Sequence, residues 1–458
     1  MAQYQAAVIG GGPGGYIAAI QCAQRGLKTV LVEKLDLGGT CLNRGCIPTK
    51  TLLHSSDVFA EINHCKSLGI EVNGEVGFKY KKIAKRKDKV VKQLRSGVEA
   101  LVSGHGADII RGEAVLTGPH TFKVEDTEYE AENIILAAGS SPAFIPIPGA
   151  DHEAVMNSDG VLSLTECPES VTIIGGGVIG VEFATLFANL GKKVAIVEMM
   201  PSILYGNDPE ICELMTYILT EEKGVEIHTN AKVCEIQNGH TVVYEENGAS
   251  QSIESELVVM AIGRKPETAA LCPEAAGIKV TDRGFIEVDD HMRTNVPGIY
   301  AIGDITGKIQ LAHVATAQGM VAADNAAGLD KTMKYDAVPS CIYTTPEIAC
   351  VGLTEEKAKA QGIEIKTGKF DVSGNGRSLA INSSNGFAKI ICDAKTEKVI
   401  GCHIVSANAT EMIGEATLAI ENGLTVDQLA DTIHAHPTVS EILMEAAHDV
   451  HGLCCHKL

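Results

Sequence analysis

The 458-residue chain is predicted to adopt an α/β fold built from two Rossmann-like units and a C-terminal α+β unit. Two copies of one strand, glycine turn, helix, strand pattern predict the Rossmann-like pair. A change of pattern from Tyr335 onward, to strand-like runs and long amphipathic helices, predicts the third unit. Length agrees, since a prior of roughly one domain per 150 residues suggests about three.

The first copy reads QAAVIGGGPGGYIAAIQCAQRGLKTVLVEK and the second VTIIGGGVIGVEFATLFANLGKKVAIVEMM. Gly10, Gly12 and Gly15 recur 165 residues later as Gly175, Gly177 and Gly180, while Gly26 recurs as Gly191 and Glu33 as Glu198. A lone GxGxxG is weak, because glycine is common in turns. Two in register, each ending in an acid behind the second strand, predict two dinucleotide sites. The first glycine makes the turn, the second lets the backbone approach a pyrophosphate, and the third lets helix and strand pack closely. The helix N-terminus then faces the phosphates. Glu33 and Glu198 are placed to accept hydrogen bonds from a ribose diol. Met199, Met200 and Pro201 follow Glu198 without a guanidinium, so NAD is expected there over NADP.

After the first copy comes GGTCLNRGCIPTK, with Cys41 and Cys46 five positions apart. Such a pair reaches the roughly 4.4–6.8 Å Cα spacing of a disulfide if the backbone coils into a helix between them. Pro48 suits a first helical turn, and Leu52, Leu53, Val58, Phe59 and Ile62 recur with a helical period, so a helix is expected from near Ile47. Its positive end favours thiolate at Cys46. Lys50 stands one turn beyond Cys46 on the same face. Tyr16, after the first glycine turn, is expected to pack.

Each half closes with a strand ending in small residues, IILAAGS up to Ser140 and LVVMAIGR up to Arg264, which brings Gly139 and Gly263 to the cofactor sites. GIYAIGD, finishing at Asp304, reads as a return strand with an acid at its tip, and Ala312 is assigned to the same site. The first unit is therefore expected to be interrupted, covering 1–148 and 264–334, with the second over 149–263 and the third over 335–458. The third contains KIICDAKTEKVIGCHIV, EMIGEATLAIENG and VSEILMEAAHDV, with an apolar face that dimerisation would cover. His436, followed by Pro437 and five residues later by Glu441, has the look of a base with an orienting carboxylate.

Composition narrows the function classes. With 38 Lys plus Arg against 58 Asp plus Glu the formal charge is -20, a surface that repels phosphate backbones and disfavours nucleic acid. No run of about 18 apolar residues occurs and the start lacks a basic leader, so a cytosolic protein without a membrane span is expected. The 14 cysteines lack the CxxC blocks that zinc sites use, and no metal is expected. Paired cysteines in that setting are more often redox-active than structural.

In GGGPGG at 10–15, GGTCLNRGCIPTK at 38–50, GGGVIGVEFA at 175–184, GIYAIGD at 298–304, YTTPEIACVG at 343–352 and HAHPTVSE at 434–441, the chain resembles the pyridine nucleotide-disulfide oxidoreductases over nearly its whole length. The likeness is greatest to members that oxidise protein-bound dihydrolipoamide. The resemblance implies FAD held tightly at the first site, NAD visiting the second, and a homodimer in which the partner's C-terminal unit completes the active site. It implies a redox disulfide between Cys41 and Cys46, with Cys46 nearer the flavin. Lys50 is then paired with Glu182 near the flavin, and His436 with Glu441 acts on the dithiol. A lipoylated acyltransferase or glycine-cleavage carrier protein would present that dithiol.

Mercuric, glutathione and thioredoxin reductases share the pattern and remain the alternative, although they usually take NADP, against which Glu198 argues. Cys454 and Cys455 depart from the expected ending and resemble the C-terminal redox pairs of some of those reductases; a plain structural pair is favoured. A non-catalytic flavoprotein scaffold is a third reading. It has no need of cysteine pair, lysine and histidine together.

Overall fold

The computed structural model describes residues 2–457. Its N-terminal sheet is built around β1 (Ala2–Ile9), with α1 (Pro13–Gln24) crossing to β2 (Thr29–Glu33). α2 (Gly39–Arg44), α3 (Cys46–His64) and α4 (Tyr80–Gly104) then lead to β3 (Asp108–Arg111), and β4 (Ala114–Gly118), β5 (Thr121–Val124) and β6 (Thr127–Leu136) follow. The strand order is β3-β2-β1-β6-β5-β4. The second half of β1 from Ala6 to Ile9, the middle of β2 from Val30 to Val32 and the end of β6 from Ile134 to Leu136 are buried apolar runs without alternation, as strand segments covered on both faces must be.

The C-terminal half of β6 also pairs in parallel with Ile299–Ala301, in register Ile299↔Ile134 and Ala301↔Leu136. The chain thus re-enters the first sheet after building a second. That sheet is wholly parallel, in the order Glu226–His228, Lys193–Val197, Ser170–Ile174, Leu257–Met260, Val155–Met156. The outgoing and returning segments, Ser140–Pro142 and Arg264–Pro266, form an antiparallel two-stranded link.

A five-stranded antiparallel sheet over 340–406 forms the third body, covered by the helices Ala409–Glu421 and Glu441–Asp449. Its strand Phe387–Asp393 is nearly all buried and carries Lys389, whose Nζ lies 2.8 and 3.1 Å from the carboxylate oxygens of Asp208, both side chains being almost wholly buried. That pair fixes the third body to the second. Lys389 also meets Glu210 at 2.5 Å and Glu355 at 3.3 Å, so it is removal of the lysine that would strand the buried Asp208 carboxylate, at a cost of about 3–5 kcal/mol.

Candidate active site

Both glycine turns fold identically. Gly10 has φ +108° and Gly175 φ +106°, a backbone region that side chains avoid. A Cβ on Gly15 would lie 1.8 Å from the carbonyl oxygen of Gly10, and one on Gly180 2.0 Å from that of Gly175, so helix and strand touch backbone to backbone in each copy. Gly12 and Gly177 differ: a Cβ on either meets nothing within 4 Å, and both border a cavity of about 1690 Å³. Each turn therefore leaves a space beside a helix N-terminus, and these spaces fit the pyrophosphates of two dinucleotides.

Glu33 and Glu198 border the same cavity. Each first stabilises its own turn. Glu33 accepts from the backbone N–H of Gly11 at 2.6 Å and of Leu35 at 2.7 Å, and Glu198 from Gly176 at 2.5 Å and Met200 at 2.6 Å. One oxygen serves each donor, leaving a lone pair on each for a ribose hydroxyl.

Cys41 lies in α2, and Cys46 opens α3 just after Gly45, one residue ahead of the expected start. Pro48 falls third in that helix, where its missing N–H costs nothing. The two cysteines are free thiols bordering the cavity and hydrogen-bonded to each other. The bond from Cys41 and the Lys50 ammonium outweigh burial and bring Cys46 down to about 7, whereas the same bond and burial push Cys41 far above the ordinary thiol value. One sulfur of the pair is poised as thiolate and the other holds its proton.

Lys50 donates to both oxygens of Glu182 at 2.8 Å. Glu182 stands in the helix Val178–Asn189 that starts at the second glycine turn, so the ion pair ties the thiol helix to the second cradle. Two contacts here escaped sequence reasoning. The backbone N–H of Tyr343 donates to Glu182 at 3.0 Å, and its ring lies under the Lys50 ammonium with the nitrogen 4.7 Å from the centroid. Tyr16 packs against the core of the first sheet, as expected.

Asp304 accepts a hydrogen bond from Ser140. Arg264, likewise missed as a site residue, donates through Nε to Ser140 Oγ at 2.7 Å and through Nη2 to the Ser140 carbonyl at 2.5 Å. Its guanidinium is 3.9 Å from Asp304. The two-stranded link thus holds an acid at the wall that also contains Gly139, Gly263 and Ala312.

His436 stands apart. Its Nδ1 is 2.9 Å from Glu441, whose other oxygen accepts from the Thr438 N–H at 2.8 Å. Glu441 is partly desolvated, yet those two bonds keep its carboxyl below the usual range. The imidazole is largely exposed and does not border the cavity. Within one chain, His436 and the thiol pair are not brought together.

Cys454 donates to the buried carboxylate of Glu445 at 3.0 Å, while the Cys455 sulfur faces the Leu453 carbonyl. Burial and that carboxylate raise Cys454 to about 11.

Two dinucleotide cradles opening onto one thiol pair define a pyridine nucleotide-linked disulfide oxidoreductase. Residues 4–319 match the pyridine nucleotide-disulphide oxidoreductases and residues 338–447 the dimerisation domain of the same proteins; the chain belongs to this family. It is 42% identical over 456 residues to a dihydrolipoyl dehydrogenase of Geobacillus stearothermophilus, covering 98% of this chain and 96% of the relative. The dihydrolipoyl dehydrogenase of Thermus scotoductus is 42% identical over 465 residues, with all of both chains covered. Among solved structures, the HOCl-induced flavoprotein disulfide reductase RclA of Escherichia coli superposes with a TM-score of 0.86 at 33% identity, over 97% of this chain and 99% of that one. LpdA of Mycobacterium tuberculosis gives 0.89 at 28%, over 98% and 99%. No helix among the described residues is long and apolar enough to cross a membrane.

Proposed function

We propose that this chain is a dihydrolipoyl dehydrogenase, oxidising a protein-bound dihydrolipoyl group to its disulfide and reducing NAD. The observation that carries the reading is the pair Cys41 and Cys46 on the wall of a cavity shared by both glycine cradles, with Lys50 and Glu182 beside it. Full-length likeness to dihydrolipoyl dehydrogenases selects the dithiol among the family's substrates.

The chain's residues divide the work as follows. His436 of a second copy, oriented by Glu441, takes a proton from the dithiol. The substrate thiolate attacks Cys41 of the oxidised pair, forming a mixed disulfide and releasing Cys46 as thiolate. The second substrate thiolate attacks the substrate sulfur bonded to Cys41 and expels Cys41 as thiolate, so lipoamide leaves as the disulfide and both enzyme sulfurs are reduced. Lys50, held by Glu182, steadies the negative sulfur at Cys46. FAD held in the first cradle would supply two-electron transfer between the reduced thiol pair and NAD received in the second. The first cradle is assigned Gly10, Gly12, Gly15, Glu33, Gly139, Asp304 and Ala312, and the second Gly175, Gly177, Gly180, Glu198 and Gly263. An FAD unit over 1–148 and 264–334, an NAD unit over 149–263 and an interface unit over 335–458 belong to the same reading.

Because His436 is exposed and remote from the cavity in one chain, the homodimer is part of the catalyst. A lipoylated acyltransferase or glycine-cleavage carrier in the cytosol would deliver the dithiol. Steady-state oxidation of free dihydrolipoamide is the test, with NAD expected to outperform NADP at least tenfold. Faster turnover of glutathione disulfide or Hg(II) with reduced nicotinamide would overturn the reading.

A further inference from the structure

The function above absorbs the thiols, the cradles and the histidine, and leaves one prominent feature unused. α4 carries Lys81, Lys82, Lys85, Arg86, Lys89 and Lys92 within 12 residues of a chain whose formal charge is -20. All six are exposed. At 100° per residue, Lys81, Lys85, Lys89 and Lys92 fall within about 80° of one another and, at about 1.5 Å rise per residue, make a stripe about 16 Å long. Lys82 and Arg86 flank it.

Neighbouring cations of the same helix are neutralised: Lys87 meets Asp88 at 2.6 Å and the Leu162 carbonyl at 2.7 Å, and Arg95 meets Asp36 at 2.7 Å. None of the four stripe lysines has a carboxylate within ion-pair distance among the described residues. Like charges at i and i+4 repel, at about 0.2–0.5 kcal/mol per pair, so the helix maintains this field against its own stability. In an otherwise acidic molecule it is a local positive region that draws an acidic surface.

The helix is anchored to the segments that carry the thiols. Arg95 Nε donates to Asn43 in α2 at 2.9 Å, and Arg86 Nη1 to the Thr51 carbonyl in α3 at 3.3 Å. The stripe lies on the outward side of this helix, whose buried face carries Ala84, Val91 and Val98, so a body seated on it is held by an element tied directly to those that carry Cys41 and Cys46.

Resting on the proposed activity, we infer that the lysine stripe of α4 is the docking surface for the dithiol's carrier, a lipoylated domain with an acidic face. The stripe steers and seats the carrier and takes no part in the chemistry. Free dihydrolipoamide, having no acidic body, gains nothing from it.

The test compares free dihydrolipoamide with a reduced, acidic lipoyl domain as substrates of the intact dimer. For the wild type, raising salt from 20 to 200 mM is expected to lower kcat/KM for the domain about tenfold, the scale of screened electrostatic steering, and to leave the free substrate within twofold. Replacing Lys81, Lys85, Lys89 and Lys92 together by Gln should lower kcat/KM for the domain about tenfold at 20 mM salt and flatten its salt dependence. The same four changed to Arg should retain wild-type behaviour. Equal kinetics of the Gln variant and wild type on the domain would overturn the inference, as would a wild-type domain rate indifferent to salt. A Gln variant that prefers a basic lipoyl domain to the acidic one no more than wild type does would also overturn it. Failure of the wild type to oxidise free dihydrolipoamide would instead defeat the activity on which the inference rests.

Discussion

The two glycine cradles share φ angles and backbone collisions to within a few tenths of an ångström, yet one is enclosed and the other open. Gly12 is half-buried and Gly177 exposed; Glu33 is buried and Glu198 only partly so. Against the first turn lies the segment leading to the thiols, so close that a Cβ on Gly39 would come within 2.6 Å of the Gly12 Cα. The second is rimmed by exposed apolar side chains, Met199 at 66%, Tyr205 at 60% and Val178 at 40%. A repeated motif thus dictates how a pyrophosphate is received, and the surroundings decide how long it stays. The enclosed cradle suits a resident cofactor and the open one a ligand that exchanges.

The largest effect is expected at the thiols, which line one cavity with both cradles. Cys46→Ser should abolish dihydrolipoamide oxidation, by at least about a thousandfold as for other covalent machinery, with flavin still bound in the first cradle. Appreciable turnover in the purified variant would remove Cys46 from the reaction. His436→Gln should slow dithiol oxidation by roughly two to four decades, the scale of general-base loss. A near-normal steady-state rate would remove His436.

A glycine substitution tests enclosure directly, because the same change at equivalent positions should have unlike effects. Gly12→Val should yield protein that purifies without flavin absorbance, its cradle filled and closed. Gly177→Val should remain yellow and show a KM for NAD raised about 10- to 100-fold, equivalent to about 1.4–2.7 kcal/mol. Loss of flavin in both variants, or in neither, would mean that the two sites do not differ as their exposure indicates.

Much of this site was legible in the chain because it is local. The glycine spacing, the thiol pair and the helix it opens all act within a few residues of one another, and Pro48 and Lys50 follow from helical geometry alone. The Lys50–Glu182 pair spans 132 residues and came from resemblance. Tyr343 donating to Glu182 and Arg264 braced on Ser140 had no sequence signal, because their partners lie 161 and 124 residues away and are met only when three bodies pack together. The interruption of the first sheet was readable because GIYAIGD reads as a return strand with an acid at its tip, and Ile299–Ala301 does pair with the end of β6. His436 marks the reverse limit. Its Glu441 partner was visible at five residues' distance, whereas its remoteness from the thiols follows from the fold and not from any motif.

The pH response separates the two sulfurs. Cys46, lowered to about 7, is thiolate above that value and thiol below it; Cys41, raised, keeps its proton throughout the neutral range. Iodoacetamide should therefore alkylate Cys46 of the reduced protein with a rate that rises through about pH 7, and leave Cys41 much slower. Lys50→Met should move that midpoint upward, since the ammonium that favours thiolate is gone. A midpoint near the ordinary thiol value in the wild type would contradict the assignment of Cys46 as the stabilised sulfur.

The smallest effect is expected where a second thiol pair lies. Cys454 is hydrogen-bonded to a buried carboxylate that repels thiolate, and at about 11 it is almost entirely protonated at neutral pH, hence a poor nucleophile. Its neighbour's sulfur faces the Leu453 carbonyl. Cys46 has the opposite surroundings, with a donor thiol and an ammonium in place of an acceptor. The double variant Cys454→Ala and Cys455→Ala should therefore turn over dihydrolipoamide within twofold of wild type. A tenfold loss, or a gain of Hg(II)-dependent oxidation of reduced nicotinamide in the wild type that the variant lacks, would show that the terminal pair handles substrate despite its carboxylate and would favour the mercuric reductase alternative.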